Sequence, residues 1–219
     1  MTSTVHLADA DTLADLATYL GRARRADPDG AARLVGHGDV LAVYVSPVHG
    51  GGGPVVLGLR TLRLGTPVTL DVTVPLAAAS ERLAERSGDG LRSGAALALP
   101  PERVAAAGWA GVSAPRQGWR PVGSVDGAAL AERASAGIAE VATGAPAGSG
   151  AAAVAALRAR VWGRPLAESV PDLPAGVAYA AMTLGFVDPM GQAAVFTSGP
   201  WWRLTTSAGH VLARRPALF

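Results

Sequence analysis

The 219-residue chain contains no lysine, no asparagine and no cysteine, and Ile138 is its only isoleucine. Lys, Asn and Ile have AT-rich codons. Their joint scarcity points to a GC-rich genome, not to a chemical task. The Ala and Gly excess and the use of arginine for all 19 strong cations follow from the same bias. Each absence also excludes chemistry. Without cysteine there is no disulfide, thiolate nucleophile or cysteine zinc site. Without lysine there is no Schiff base, no Walker-type phosphate lysine and no protein-kinase lysine. No G-x-S-x-G, H-x-H or H-E-x-x-H pattern occurs. No apolar run reaches about 18 residues, so a membrane span is not expected despite a mean hydropathy of +0.28. Asp9, Asp11 and Asp15 break the first apolar segment, and no basic region precedes it. A signal peptide is therefore not expected, and the chain reads as cytoplasmic, without cofactor or metal.

What is present suits a folded protein. Hydrophobic residues make up 49% of the chain and charged residues 16%, too few charges for disorder. The net charge is +2. Residues 1–110 carry 10 Arg against 11 acids, and residues 111–219 carry 9 Arg against 6 acids. The second half is mildly basic, less than nucleic-acid domains usually are.

The first half predicts a helix from about Thr12 to Arg25, with Leu13, Leu16, Ala17 and Leu20 on one stripe and Asp9 or Asp11 as cap. Strands follow at Ala32–Val35 and Val40–Ser46, with Gly36 to Asp39 reading as a hairpin turn. Gly50 to Gly53 reads as a flexible loop. Further strands are expected at Val55–Leu64 and Val68–Val74. In the last, Val68, Leu70, Val72 and Val74 should be buried, with Thr69 and Asp71 more exposed. A helix is expected over Leu76–Arg86, a strand over Ala95–Leu99, and a short helix from Pro101 to Ala107.

Residues 108–122 lack periodicity and mark a boundary. The second half predicts helices over Asp126–Thr143, Ala151–Trp162 and Ala175–Phe186. Leu130, Ala134, Ile138 and Val141 should form the inner face of the first, and Ser149 should cap the second. Strands at Ala193–Thr197, Trp201–Thr206 and His210–Arg214 end the chain. The expected fold is α+β: antiparallel sheets with helices on one face, in two subdomains. Residues 1–113 hold a helix, antiparallel strands and a helix. Residues 114–219 hold three helices and a β-meander.

The C-terminal hairpin is expected to turn through Ser207-Ala208-Gly209. Leu204 then faces Leu212, Arg203 faces Ala213 and Trp202 faces Arg214. That register makes Trp202 the core residue and Trp201 the accessible one. The candidate interaction surface is Trp201, Arg203, Arg214 and Arg215, with Trp119 and Arg120; Trp and Arg are enriched at interface hot spots. A strand with a core Trp and a solvated Arg row is the plain structural alternative. The weaker polar candidates are His37, Asp39, His49 and His210, which nothing local brings together. The loop Gly144–Gly150 opens a helix but follows a helix, unlike a dinucleotide fingerprint.

Three stretches carry a resemblance: Asp71 to Leu76 (DVTVPL), Gly137 to Val141 with Val161 to Gly163, and Gly199 to Leu204 with Gly209 to Arg214. On these the chain resembles conserved hypothetical proteins of Actinobacteria, which have no established activity. The resemblance therefore assigns no catalytic residue. The leading expectation is a non-enzymatic cytoplasmic protein that contacts a protein partner or another copy of itself. An enzyme, for instance a hydrolase, would need His37, His49 or His210 joined to Asp39, Asp71 or Asp188. A nucleic-acid binder would need the second-half arginines on one surface with an exposed Trp.

Overall fold

A computed structural model describes residues 4–88, 95–104, 107–111, 113–145, 148, 150–168 and 170–214. Two compact units divide the chain. Unit 1 comprises Met1–Val45 and Leu59–Gly111, and unit 2 comprises Ser46–Gly58 and Val112–Phe219. Mixed helices and antiparallel strands make this an α+β fold.

Unit 1 opens with strand β1 (Thr4–His6), which sequence periodicity did not reveal. Helix α1 follows (Ala10–Ala26). Asp9 caps it: the carboxylate Oδ1 accepts from the Thr12 N–H at 2.7 Å and from the Thr12 hydroxyl at 2.6 Å. The buried stripe is Leu16, Tyr19, Leu20 and Ala23, rotated from the expected one; Leu13 and Ala17 are half-buried. Strand β2 runs unbroken over Ala31–Val48 and strand β3 over Val55–Pro75, so each replaces two expected strands. Gly36 to Asp39 is therefore not a hairpin turn. Gly38 takes φ +59°, which glycine adopts without strain, and the strand continues through it. A Cβ at Gly36 would lie 2.6 Å from Val68 Cγ1, so the neighbouring strand needs this position bare.

Within β3 the expected alternation holds in phase but not in depth. Val74 is buried, Val68, Leu70 and Val72 are half-buried, and Thr69 and Asp71 are exposed. Helix α2 (Leu76–Gly88) buries Leu76, Ala79 and Leu83. Strand β4 (Ala96–Ala98) pairs antiparallel with β1, placing Val5 opposite Leu97. Residues 101–104 are not helical, which corrects the expected helix there. Trp109 is buried.

Unit 2 includes the residue ranges 46–48 and 55–58, the ends of β2 and β3. Strand β5 (Arg120–Asp126) leads into helix α3 (Gly127–Gly144) and helix α4 (Ala151–Gly163). The short strands β6 (Pro165–Ala167) and β7 (Val170–Pro174) pair with each other and precede helix α5 (Gly176–Leu184). Periodicity missed β5, β6 and β7. Strands β8 (Gln192–Ser198), β9 (Trp201–Thr206) and β10 (Gly209–Arg214) follow. The sheet order is β10-β9-β8-β5, each pair antiparallel, and β3 borders β10. Helix α5 packs on β10 and on α3. Ser149, the expected cap of α4, lies outside the described residues.

The inner face of α3 is Gly127, Leu130, Ala134 and Gly137. Ile138 is exposed and Val141 half-buried, against expectation. The cause is Trp162, 1% exposed, whose ring presses on Gly137. Trp162 also stacks on Tyr179 of α5, with ring centroids 4.5 Å apart. A side chain larger than hydrogen at Gly137 cannot fit beneath that ring. Gly137→Ala should raise helix propensity by about 0.5–1 kcal/mol, yet its Cβ would sit 2.3 Å from the indole. Overpacking outweighs propensity, and we expect a net loss of about 1–2 kcal/mol. Urea denaturation measures this, and an unchanged or higher midpoint would contradict the packing.

Candidate functional site

The β9–β10 turn decides which side chains meet. Thr206 pairs with Gly209, so the loop is the two residues Ser207 and Ala208. Leu204 faces Val211, Arg203 faces Leu212, Trp202 faces Ala213 and Trp201 faces Arg214. The expected three-residue loop is wrong by one position. Two contacts explain the shift. The Thr206 hydroxyl oxygen accepts from the Ala208 N–H at 3.2 Å, and the hydroxyl donates to the Gly209 carbonyl at 3.3 Å, which closes the tight turn. Gly209 lies under the Phe186 ring, where a Cβ would come within 2.6 Å, so it serves packing instead of the turn.

The pleat places Trp202, Leu204, Val211 and Ala213 on one side of the sheet, and Trp201, Arg203, Leu212 and Arg214 on the other. Both sides bury residues. Leu204 is inaccessible as expected, but Trp201 is only 5% exposed and Trp202 is half-buried. The expected assignment of an accessible Trp201 is thus reversed.

Arg203 is the centre of what remains. Strand β8 sets Phe196 directly opposite it, and the guanidinium lies 4.4 Å from that ring centroid. Trp119, the residue before β5, covers it from a second ring at 4.7 Å. The Trp119 indole N–H donates to the Pro115 carbonyl at 3.0 Å, which holds that ring in place. Each cation–π contact contributes on the order of 0.5–1 kcal/mol. Arg203 is half-buried, its Nε is buried without a hydrogen-bond partner, and no carboxylate among the described residues pairs with it. Burial pulls its pKa below the usual arginine value, although a guanidinium stays charged at neutral pH. Phe196 escaped the sequence reading because only the strand register brings it to Arg203.

The other predicted positions scatter. Arg120 is exposed and pairs in the ladder with Thr197. Arg214 lines a shallow cavity of about 180 Å³ with Gly52, Pro54, Ala159 and Asp172. Arg215 lies outside the described residues. His37 and Asp39 are exposed in unit 1, with no hydrogen bond recorded between them. His49, in unit 2, has Nδ1 2.9 Å from the Ser46 carbonyl, and His210 has Nδ1 3.1 Å from the Thr205 hydroxyl. Among the described residues no three His, Asp or Glu side chains gather as metal ligands. No helix of the described residues is long and apolar enough to cross a membrane.

The acids are occupied structurally. Asp71 accepts two hydrogen bonds from Arg33, at 2.8 and 2.6 Å, and Arg33 also donates to the Ala110 carbonyl at 2.6 Å. The Arg33 hydrogen bonds hold the Asp71 carboxyl below the usual carboxylate range. Asp188 accepts from the Met190 N–H at 3.0 Å. Glu140 forms a two-pronged pair with Arg164 at 2.6 and 2.8 Å, which likewise lowers its pKa.

Residues 1–103 match the model of a domain of unknown function, DUF8010, and residues 114–218 match that of another, DUF8185. No curated protein matches the chain. Among solved structures it is similar to the DNA polymerase sliding clamp from Caulobacter crescentus, with 14% identity and a TM-score of 0.49, over 98% of this chain and 65% of that one. The sliding clamp from Pseudomonas aeruginosa with ligand gives 11% identity and a TM-score of 0.45, over 99% of this chain and 66% of that one. The chain thus spans just under two thirds of the length of these clamps.

The Arg33–Asp71 pair gives unit 1 a pH dependence of known sign. A carboxyl with a depressed folded pKa stabilises the fold above its unfolded value, near 3.8, and loses that contribution as pH falls through the folded value. The Asp71 side chain is 53% exposed, so screening limits the effect to about 0.5–1 kcal/mol. Asp71→Asn should therefore be less stable at pH 7, with the difference shrinking as pH falls below about 3.8, as measured by urea denaturation. An equal difference at pH 7 and at low pH would reject the pairing.

Proposed function

We propose that the chain is a non-enzymatic protein that works by contact with a protein partner or a second copy of itself. The carrying observation is the ring-clamped, uncompensated Arg203. Aromatics and arginine are the residue types that dominate protein interfaces. A rigid side chain forfeits less entropy on docking than a free one. We place this surface on β8, β9 and the segment before β5, with Trp119, Arg203 and Phe196 as its anchors; Arg120, on the other face of the sheet, is not one of them. The same reading treats residues 1–113 and 114–219 as two domains, each with helices on one face of its sheet. It assumes a cytoplasmic setting in a GC-rich actinobacterium.

The enzyme alternative is less favoured because the histidines have local hydrogen bonds or lie apart, and Asp71 is bound to Arg33. Nucleic-acid binding is less favoured because Trp201 is buried and the Trp119 ring faces Arg203.

A photo-crosslinking residue at Gln117, exposed and two positions from Trp119, tests the reading in cells. Protein adducts that vanish with Arg203→Ala are expected; a second copy of the chain would show as a doubled mass. Adducts to nucleic acid, or none at all, would overturn it.

A further inference from the structure

We infer that the Arg203 site receives a side-chain carboxylate from an acidic segment of a protein partner; this rests on the reading of the surface as a protein-contact site. Four observations converge. Two rings lie against the guanidinium, Trp119 at 4.7 Å and Phe196 at 4.4 Å. A ligand can then approach the fork edge, where a planar carboxylate accepts two parallel hydrogen bonds. The group is desolvated without compensation: its Nε is buried and unpartnered, and no acid of the described residues meets it. Bringing a counter-charge removes that penalty, so binding gains more here than at a hydrated arginine.

The stretches that supply Trp119, Phe196 and Arg203 carry arginines without acids. Stretches 113–125 and 189–214 contain Arg116, Arg120, Arg203 and Arg214 and no Asp or Glu. None of these four arginines forms an ion pair among the described residues. By contrast, Arg33, Arg60, Arg82 and Arg164 each have a carboxylate partner. A peptide carboxylate fits better than a phosphate chain. One clamped fork with flanking charges offers a point of attachment, not a continuous cationic track.

The test uses a fluorescein-labelled hexaglutamate peptide, titrated into the full chain and read by anisotropy. Hexaglutamine and a thymidine oligonucleotide of equal charge are the comparison ligands. Hexaglutamate should bind at least about tenfold tighter than hexaglutamine, and should weaken as salt rises. Arg203→Lys keeps the charge but loses the flat fork, and should weaken hexaglutamate by about tenfold or more. Arg25→Ala, an exposed arginine of α1, should change it by less than about twofold. If Arg203→Lys unfolds by circular dichroism, the glutamate-to-glutamine ratio on wild type still decides. Equal binding of the two peptides, an unaffected Arg203→Lys, or tighter binding of the oligonucleotide would overturn the inference. Protein adducts at Gln117 together with no hexaglutamate preference would remove the acidic partner while leaving the protein-contact reading intact.

Discussion

Trp162 is the point at which the helices of unit 2 come together, and each meets it through a residue without a side chain. Gly137 of α3 lies under the ring, and a Cβ added at Gly176 of α5 would come within 3.2–3.3 Å of the Trp162 Cβ and carbonyl oxygen. Tyr179, one turn further along α5, stacks on the ring face. The indole is nearly inaccessible, so it has no room to move aside. The position of α5 follows from this contact. Phe186, two residues beyond the end of α5, then covers Gly209 and so holds the start of β10. The register of β10 against β9 depends on Gly209 lying there. The β8–β9 pairing separately places Phe196 opposite Arg203. A tight helix junction therefore reaches the start of β10 through a chain of packed contacts, and the β8–β9 ladder sets the Arg203 site beside it.

The parts legible in the sequence are those governed by local rules. The cap at Asp9, the extents of α4 and β9, and the phase of alternation in Val68 to Val74 all follow from neighbours a few residues away. The failures share a cause too. Gly38 looks like a turn residue, and only the pairing of β2 with β3 reveals that it lies in an extended strand. Ile138 looks like a core residue by hydrophobicity, and only the bulk of Trp162 explains why Gly137 is chosen instead. Strands β5, β6 and β7 are short or rich in Gly and Pro, so their pattern is lost without their partners. The candidate site was half legible. Trp119 and Arg203 stand out as residue types; Phe196 depends on the β8–β9 register, which no local pattern gives, and the burial of Trp201 on a sheet that buries residues on both sides.

Composition hid the remaining signal. A chain that uses arginine for every strong cation gives no information by having an arginine at any one position. What distinguishes one guanidinium from another is what surrounds it. Arg33 and Arg164 meet carboxylates edge-on and serve to join segments within their units. Arg203 meets aromatic faces and keeps its charge unmatched. A lysine at the first kind of position would lose the two-pronged geometry and keep only a point charge near the acid. It could not occupy the second, because a tetrahedral ammonium has no flat face to lie against rings and is more strongly hydrated. A codon bias could place arginine at position 203, but not the two rings beside it or the absence of a carboxylate partner among the described residues. Those features depend on three other segments of the chain, which is why they, and not the arginine count, bear on function.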